Sequence, residues 1–166
     1  MRRSVRLVAA LLTVFGVSLA SAAAGEAGDY LKDGRLKDRI EVIDLQGGFA
    51  GLTGTYYAIE PDGSWSTGPI LPPKEKRGEP KAKGKLTADQ LAELAKDFAR
   101  YDLAGLPSHG ETTVNPKVVR VRFGDKVSEL QPKPGKSTAE EDRAIRARYA
   151  GIAQAVTRAC KDAKAE

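Results

Sequence analysis

His109 is the single histidine of this 166-residue chain and Cys160 its single cysteine, counts that remove most metal and acid–base chemistry at once. Structural and catalytic zinc sites draw on several imidazoles, thiolates or carboxylates held together. Ser108 stands beside His109, yet a nucleophile and its base must face each other, which adjacent residues rarely do, and Leu106-Pro107 just ahead places both on a loop. Glu140, Glu141 and Asp142 form a dense carboxylate group. They fall where a helix is expected to start, and negative charge there favours the helix dipole. Gly47, Gly48 and Gly51 are too closely spaced for a phosphate loop or a dinucleotide fingerprint, and no helix opens behind them. Cys160 reads as a small apolar residue near the end of a helix, unable to form a disulfide within the chain. The chain therefore reads as non-enzymatic, with no catalytic residue, no metal and no cofactor assigned.

The elements that position these residues begin after residue 24. Arg2, Arg3 and Arg6 precede an apolar run over residues 7–19, followed by the small-residue cleavage sites Ala20-Ser21-Ala22 and Ala22-Ala23-Ala24. That order is a secretory signal peptide, 1–24, cut after Ala22 or Ala24. The run is shorter than the roughly 20 apolar residues needed to span a bilayer. The mature chain is expected to be soluble, secreted or periplasmic, with no transmembrane segment. Setting the three arginines aside leaves 24 basic against 22 acidic residues, so the formal charge falls from +5 to +2. A balance this even argues against nucleic acid as a partner.

About 140 residues remain, enough for one domain with one core. Residues 25–38 read as a polar, flexible lead-in, 39–162 as a single domain and 163–166 as a tail. Ile40, Val42, Ile43 and Leu45 mark a first strand; residues 53–60, rich in Thr and Tyr, a second; and 64–70, with Trp65, a third behind the Pro61-Asp62-Gly63 turn. The stretch 71–85 holds Pro72, Pro73, Pro80, Gly78 and Gly84 among six basic residues, and reads as a flexible, solvated loop. Thr87 and Gln90 form a capping box, with Leu86 and Leu91 as a staple, for a helix carrying Leu94, Ala95 and Phe98 inward and ending near Tyr101. Residues 117–123 alternate as a strand, Gly124-Asp125 turns the chain into 126–130, and Thr138 with Glu141 opens a final helix whose stripe is Ile145, Tyr149, Ile152 and Val156. The expected fold is α+β: an antiparallel sheet of about five strands, in the order β-β-β-α-β-β-α, with both helices on one face.

Two surfaces stand out. One is the glycine-framed knuckle Gly48, Phe49, Ala50, Gly51 and Leu52, between the first two strands. Glycine permits positive φ and close backbone approach, so three glycines around one Phe specify a fixed path. A residue as large as Phe49 is expected to turn inward; turned outward, it would be a binding element. The other surface is Trp65 with Lys74, Lys76, Arg77 and Lys81, which could serve an extracytoplasmic binding or accessory domain with an anionic target. Tyr56 and Tyr57 lie on a neighbouring strand and read as cross-strand packing rather than a base-stacking face.

The knuckle Gly47-Gly48-Phe49-Ala50-Gly51, followed by a helix over 91–98, an aromatic-then-Leu-Pro segment at 103–107, a hairpin and a last helix, resembles the emfourin family, protein inhibitors of thermolysin-like metallopeptidases. The outline covers most of residues 39–160, close in wording only at the knuckle. This chain departs from the family in its signal peptide, its greater length and its insertions at about 69–85 and 131–137. The resemblance implies an α+β fold and a secreted metallopeptidase as partner, its cleft occluded by Phe49 or Leu52 without any ligand that could strip the metal.

Overall fold

The computed structural model describes residues 26–110, 115–131 and 139–163. The signal segment 1–24, the capping residue Thr138, residues 132–137 of the second insertion and 164–166 of the tail lie outside the described residues. A turn of 3-10 helix (Ala27–Asp29) leads into β1 (Leu31–Lys32) and β2 (Arg35–Leu36), then β3 (Ile40–Gly48), β4 (Gly51–Ile59), β5 (Ser64–Leu71), β6 (Lys76–Arg77) and β7 (Ala82–Lys85). Helix α1 (Ala88–Arg100) follows, then β8 (His109–Gly110), β9 (Lys117–Phe123), β10 (Lys126–Gln131) and α2 (Glu140–Asp162).

The α+β class holds, but the sheet is larger than expected and mixed. Its eight strands run β6-β5-β4-β3-β9-β10-β8, with β7 also on β5, and β8 lies parallel to β10. The three additional strands are short and gain their hydrogen bonds from distant partners. Arg77 pairs Ile70, Ala82 pairs Thr67, and His109 pairs Leu130. The stretch 71–85 is thus not one solvated loop: proline and glycine interrupt it between β6 and β7, and its remaining backbone completes the edge of β5. The lead-in is also structured from Glu26 onward. Tyr30 is buried, packs edge-to-face on Phe98 and Phe123 at 5.7 Å, and accepts a hydrogen bond from the Ala104 amide.

Local signals produce local structure as expected. Thr87 Oγ1 accepts from the Gln90 amide while Gln90 Oε1 accepts from that of Thr87, closing the capping box. Asp62 Oδ1 takes both the amide and the hydroxyl of Ser64, fixing the β4–β5 turn. Phe123 faces Lys126 across the two-residue turn Gly124-Asp125.

Alternation along the strands divides the sheet into two faces. Ile40, Val42, Ile59, Trp65, Val121 and Leu130 face the helices and join their buried stripes in the main core. Leu45, Tyr56, Ala58, Ile70 and Val118 face the other way and form a second, smaller cluster. Among the described residues no helix lies over that second face; the segment following β5 does.

Candidate binding site at the hairpin tip

Strands β3 and β4 pair over their full nine residues each, from Ile40↔Ile59 to Gly48↔Gly51, leaving Phe49 and Ala50 as the turn. Phe49 is 111% exposed, against the inward orientation its size suggested. The reason is positional: the turn ends a ribbon, and among the described residues no layer lies beneath it.

The backbone under Phe49 is fixed from two sides. On one, Gln46 donates through Nε2 to the Asn115 carbonyl at 3.2 Å, and the Gly47 amide donates to that of Pro116 at 2.6 Å. A side chain on Gly47 would place its Cβ 2.5 Å from Pro116 Cδ, so only glycine permits this approach. On the other side, Gly51 has a φ of +109°, a conformation that residues with side chains rarely adopt, and Pro72 and Pro73 lie next to it, 3.6 Å from where a Cβ would stand. Leu52 diverges from Phe49: it is half-buried and packs on the second cluster. Ala50 and Gly48 are exposed beside the ring.

What holds Pro72 and Pro73 in place is an ionic latch across the open sheet face. Arg77 lies over the Tyr56 ring, 4.8 Å from its centroid, and pairs with Glu41, a carboxylate only 3% exposed near the start of β3. Glu75 pairs with Arg120 of β9 at 2.6 Å, and Arg120 also pairs with Glu129 of β10 at 2.5 Å. The segment between β5 and β7 therefore crosses the sheet and is tied down at two points.

The second expected surface does not assemble. Trp65 is 5% exposed and belongs to the helix-side core, whereas Arg77 lies on the opposite face. Lys74, Lys76 and Lys81 are exposed, but no exposed aromatic joins them through Trp65. Tyr56 and Tyr57 likewise point to opposite faces, Tyr56 into the second cluster and Tyr57 against the main core.

Ser108 and His109 are engaged separately. Ser108 Oγ accepts from the Glu129 amide, and His109 Nε2 lies 2.6 Å from Asp142 Oδ1, whose other oxygen takes Arg146 Nε at 2.7 Å. These contacts tie β8 to β10 and to the first turn of α2. Burial pushes the Cys160 thiol up to about 12, which keeps it protonated at neutral pH.

The residues that sequence reasoning missed are the supports: Glu41, Tyr56, Pro72, Pro73 and Pro116. Glu41 carried a signal, being a charge inside the apolar run Ile40-Glu41-Val42-Ile43. The prolines carried none that distinguishes a brace from a loop. No family model matches this chain, and no characterised protein is significantly similar to it. Its class rests on its own geometry: an α+β domain presenting a braced, aromatic-tipped hairpin.

Proposed function

We propose that this protein, exported and freed of its signal segment, inhibits a thermolysin-like metallopeptidase by seating Phe49 in the apolar part of the enzyme's cleft. The observation that carries the reading is the fully solvent-exposed Phe49 on a backbone fixed by Gly47, Gly51 and flanking prolines. A fixed loop loses little conformational entropy on binding, so a large share of the ring's burial energy is realised as affinity. The resemblance of residues 47–51 to the emfourin knuckle supports the choice of enzyme class. Among the described residues no group of three or more His, Cys, Asp or Glu is placed to hold a metal. Occlusion is the proposed mode, with Phe49 as anchor and Leu52, half-buried on the second cluster, holding the start of β4. Among the same residues no helix is long and apolar enough to cross a membrane.

The test is titration of the exported protein against a thermolysin-like peptidase, with residual activity as the readout. Saturable inhibition near stoichiometry is expected. Burying a Phe ring contributes about 2–3 kcal/mol, so Phe49→Ala should weaken inhibition about 30- to 150-fold. A fully exposed residue contributes little to the fold, and the same variant should keep its unfolding free energy within about 0.5 kcal/mol. Full inhibition by Phe49→Ala would remove the anchor role.

A further inference from the structure

The charge around the hairpin tip is not the near-even balance of the whole chain. Lys117 pairs with Gln46, three residues before Phe49, and follows Pro116, which holds Gly47. Lys74 follows Pro73, which lies next to Gly51, and Lys76 pairs with Leu71 at the end of β5. All three lysines are exposed, and among the described residues none makes an ion pair. Of the acids in the same segment, Glu41 pairs with Arg77, Glu75 shares Arg120 with Glu129, and exposed Glu79 lies back from the tip, its carbonyl beside Gly68. Asp44 lines the groove that Lys117 also lines, so the excess falls mainly on Lys74 and Lys76. Acidic side chains gather elsewhere: Asp89, Glu93, Asp97 and Asp162 line a groove between α1 and α2. Leu71 at the end of β5 is 45% exposed and Pro73 beside Gly51 is exposed, so Phe49 is accompanied by further apolar surface on the segment that reaches the hairpin.

We infer that the partner is a folded protein whose apolar pocket carries a rim of carboxylates facing Lys74, Lys76 and Lys117. This rests on the inhibitor reading for the role of the tip and specifies what the enzyme must present. Rim charges of opposite sign act chiefly on encounter: they raise the association rate and leave dissociation to the buried anchor. An anionic bilayer offers related chemistry, an apolar interior beneath negative headgroups. A single ring gives little area for holding a domain on a membrane, however, and even a myristoyl chain binds only reversibly. A rigid tip braced from both sides gains most from a preformed pocket.

The experiment is stopped-flow association of the exported protein with a thermolysin-like peptidase, from about 0.05 M to about 0.5 M salt, where screening becomes nearly complete. The unaltered protein should associate at least about tenfold more slowly at the high end. The combined variant Lys74→Ser, Lys76→Ser, Lys117→Ser, all surface positions, should associate about tenfold more slowly at low salt, lose most of its salt dependence and dissociate at an unchanged rate. Phe49→Ala should instead dissociate faster and keep the salt dependence. Unchanged association by the lysine variant would overturn this inference alone and leave inhibition standing. No inhibition by the unaltered protein would overturn the inhibitor reading and this inference together. Binding to vesicles containing about 30% phosphatidylserine, lost in Phe49→Ala, would assign the tip to a membrane and overturn it as well.

Discussion

A phenylalanine in water forgoes roughly 2–3 kcal/mol that burial of its ring would supply, so nothing in folding explains Phe49 at the hairpin tip. A glycine inside a helix raises the opposite question. Gly151 sits in α2, where alanine would gain about 1 kcal/mol in helix propensity. Yet a Cβ there would lie 2.3 Å from Tyr101 Cζ and 2.4 Å from Cε1. For a methyl group to fit, the half-buried Tyr101 ring would have to turn away and give up its contact with Arg100, while Arg148 holds its backbone carbonyl in place. Overlap should prevail over propensity, and Gly151→Ala should lower the unfolding free energy by about 1–3 kcal/mol in urea titration. Adding Tyr101→Ala should recover part of that loss if the ring is what the methyl group meets. A more stable single variant would show that α2 can move away from Tyr101. Neither residue discloses its surroundings in the sequence: an exposed Phe is spelled like a buried one, and a glycine in a helix does not name the ring it accommodates.

At the scale of elements, the open sheet face is closed by the segment between β5 and β7, and that segment is held by charge. Arg77→Ala would leave Glu41 buried with its cation gone. Removing one partner of a buried ion pair costs about 3–5 kcal/mol; because the Arg77 side chain is 38% exposed, a loss of about 2 kcal/mol is expected. Amide exchange at Gly48 and Gly51 should quicken in the same variant, because Pro72 and Pro73 lose their anchorage. Glu41→Gln combined with Arg77→Met should be less damaging than Arg77→Ala alone, since no buried charge is left over. Unchanged stability in Arg77→Ala would mean that the contact with Tyr56 and Glu41 is incidental. The elements legible in the sequence were those set by neighbours along the chain: the Thr87 cap, the Asp62 turn, the Gly124-Asp125 hairpin and the alternation of β9. Strands β6, β7 and β8 were not, because two to four residues pair there only when a distant edge is presented. The latch was hidden for the same reason. Glu75 and Arg77 look like members of a solvated charge run until the chain folds over and brings Arg120 and Glu41 beneath them.

At the scale of the molecule, one sheet separates two clusters, and the main core encloses several ionisable groups in neutral form. Burial raises the Tyr149 and Tyr30 hydroxyls above the ordinary tyrosine range and pushes Cys160 up to about 12. Tyr149 nonetheless satisfies its hydroxyl by donating to the Pro107 carbonyl at 2.7 Å. In the unfolded chain the thiol loses its proton near pH 8.5 and the phenols near pH 10, by reference values. The folded state retains protons that the unfolded state releases, so this stabilisation is complete below about pH 8.5 and is lost as pH rises toward the folded values. Each group removes about 1.4 kcal/mol per pH unit between its unfolded and folded pKa. Between about pH 8.5 and 10 Cys160 precedes the phenols, so the difference between the unaltered protein and Cys160→Ala isolates the thiol. The unaltered protein should lose unfolding free energy more steeply across that interval, by about 1.4 kcal/mol per pH unit, with the two slopes converging below pH 8. In the native protein the thiol should resist a disulfide reagent at pH 8 and react once urea unfolds the chain. Equal slopes, or rapid reaction without urea, would mean that the C-terminal part of α2 opens independently of the core and that Cys160 is reached without global unfolding.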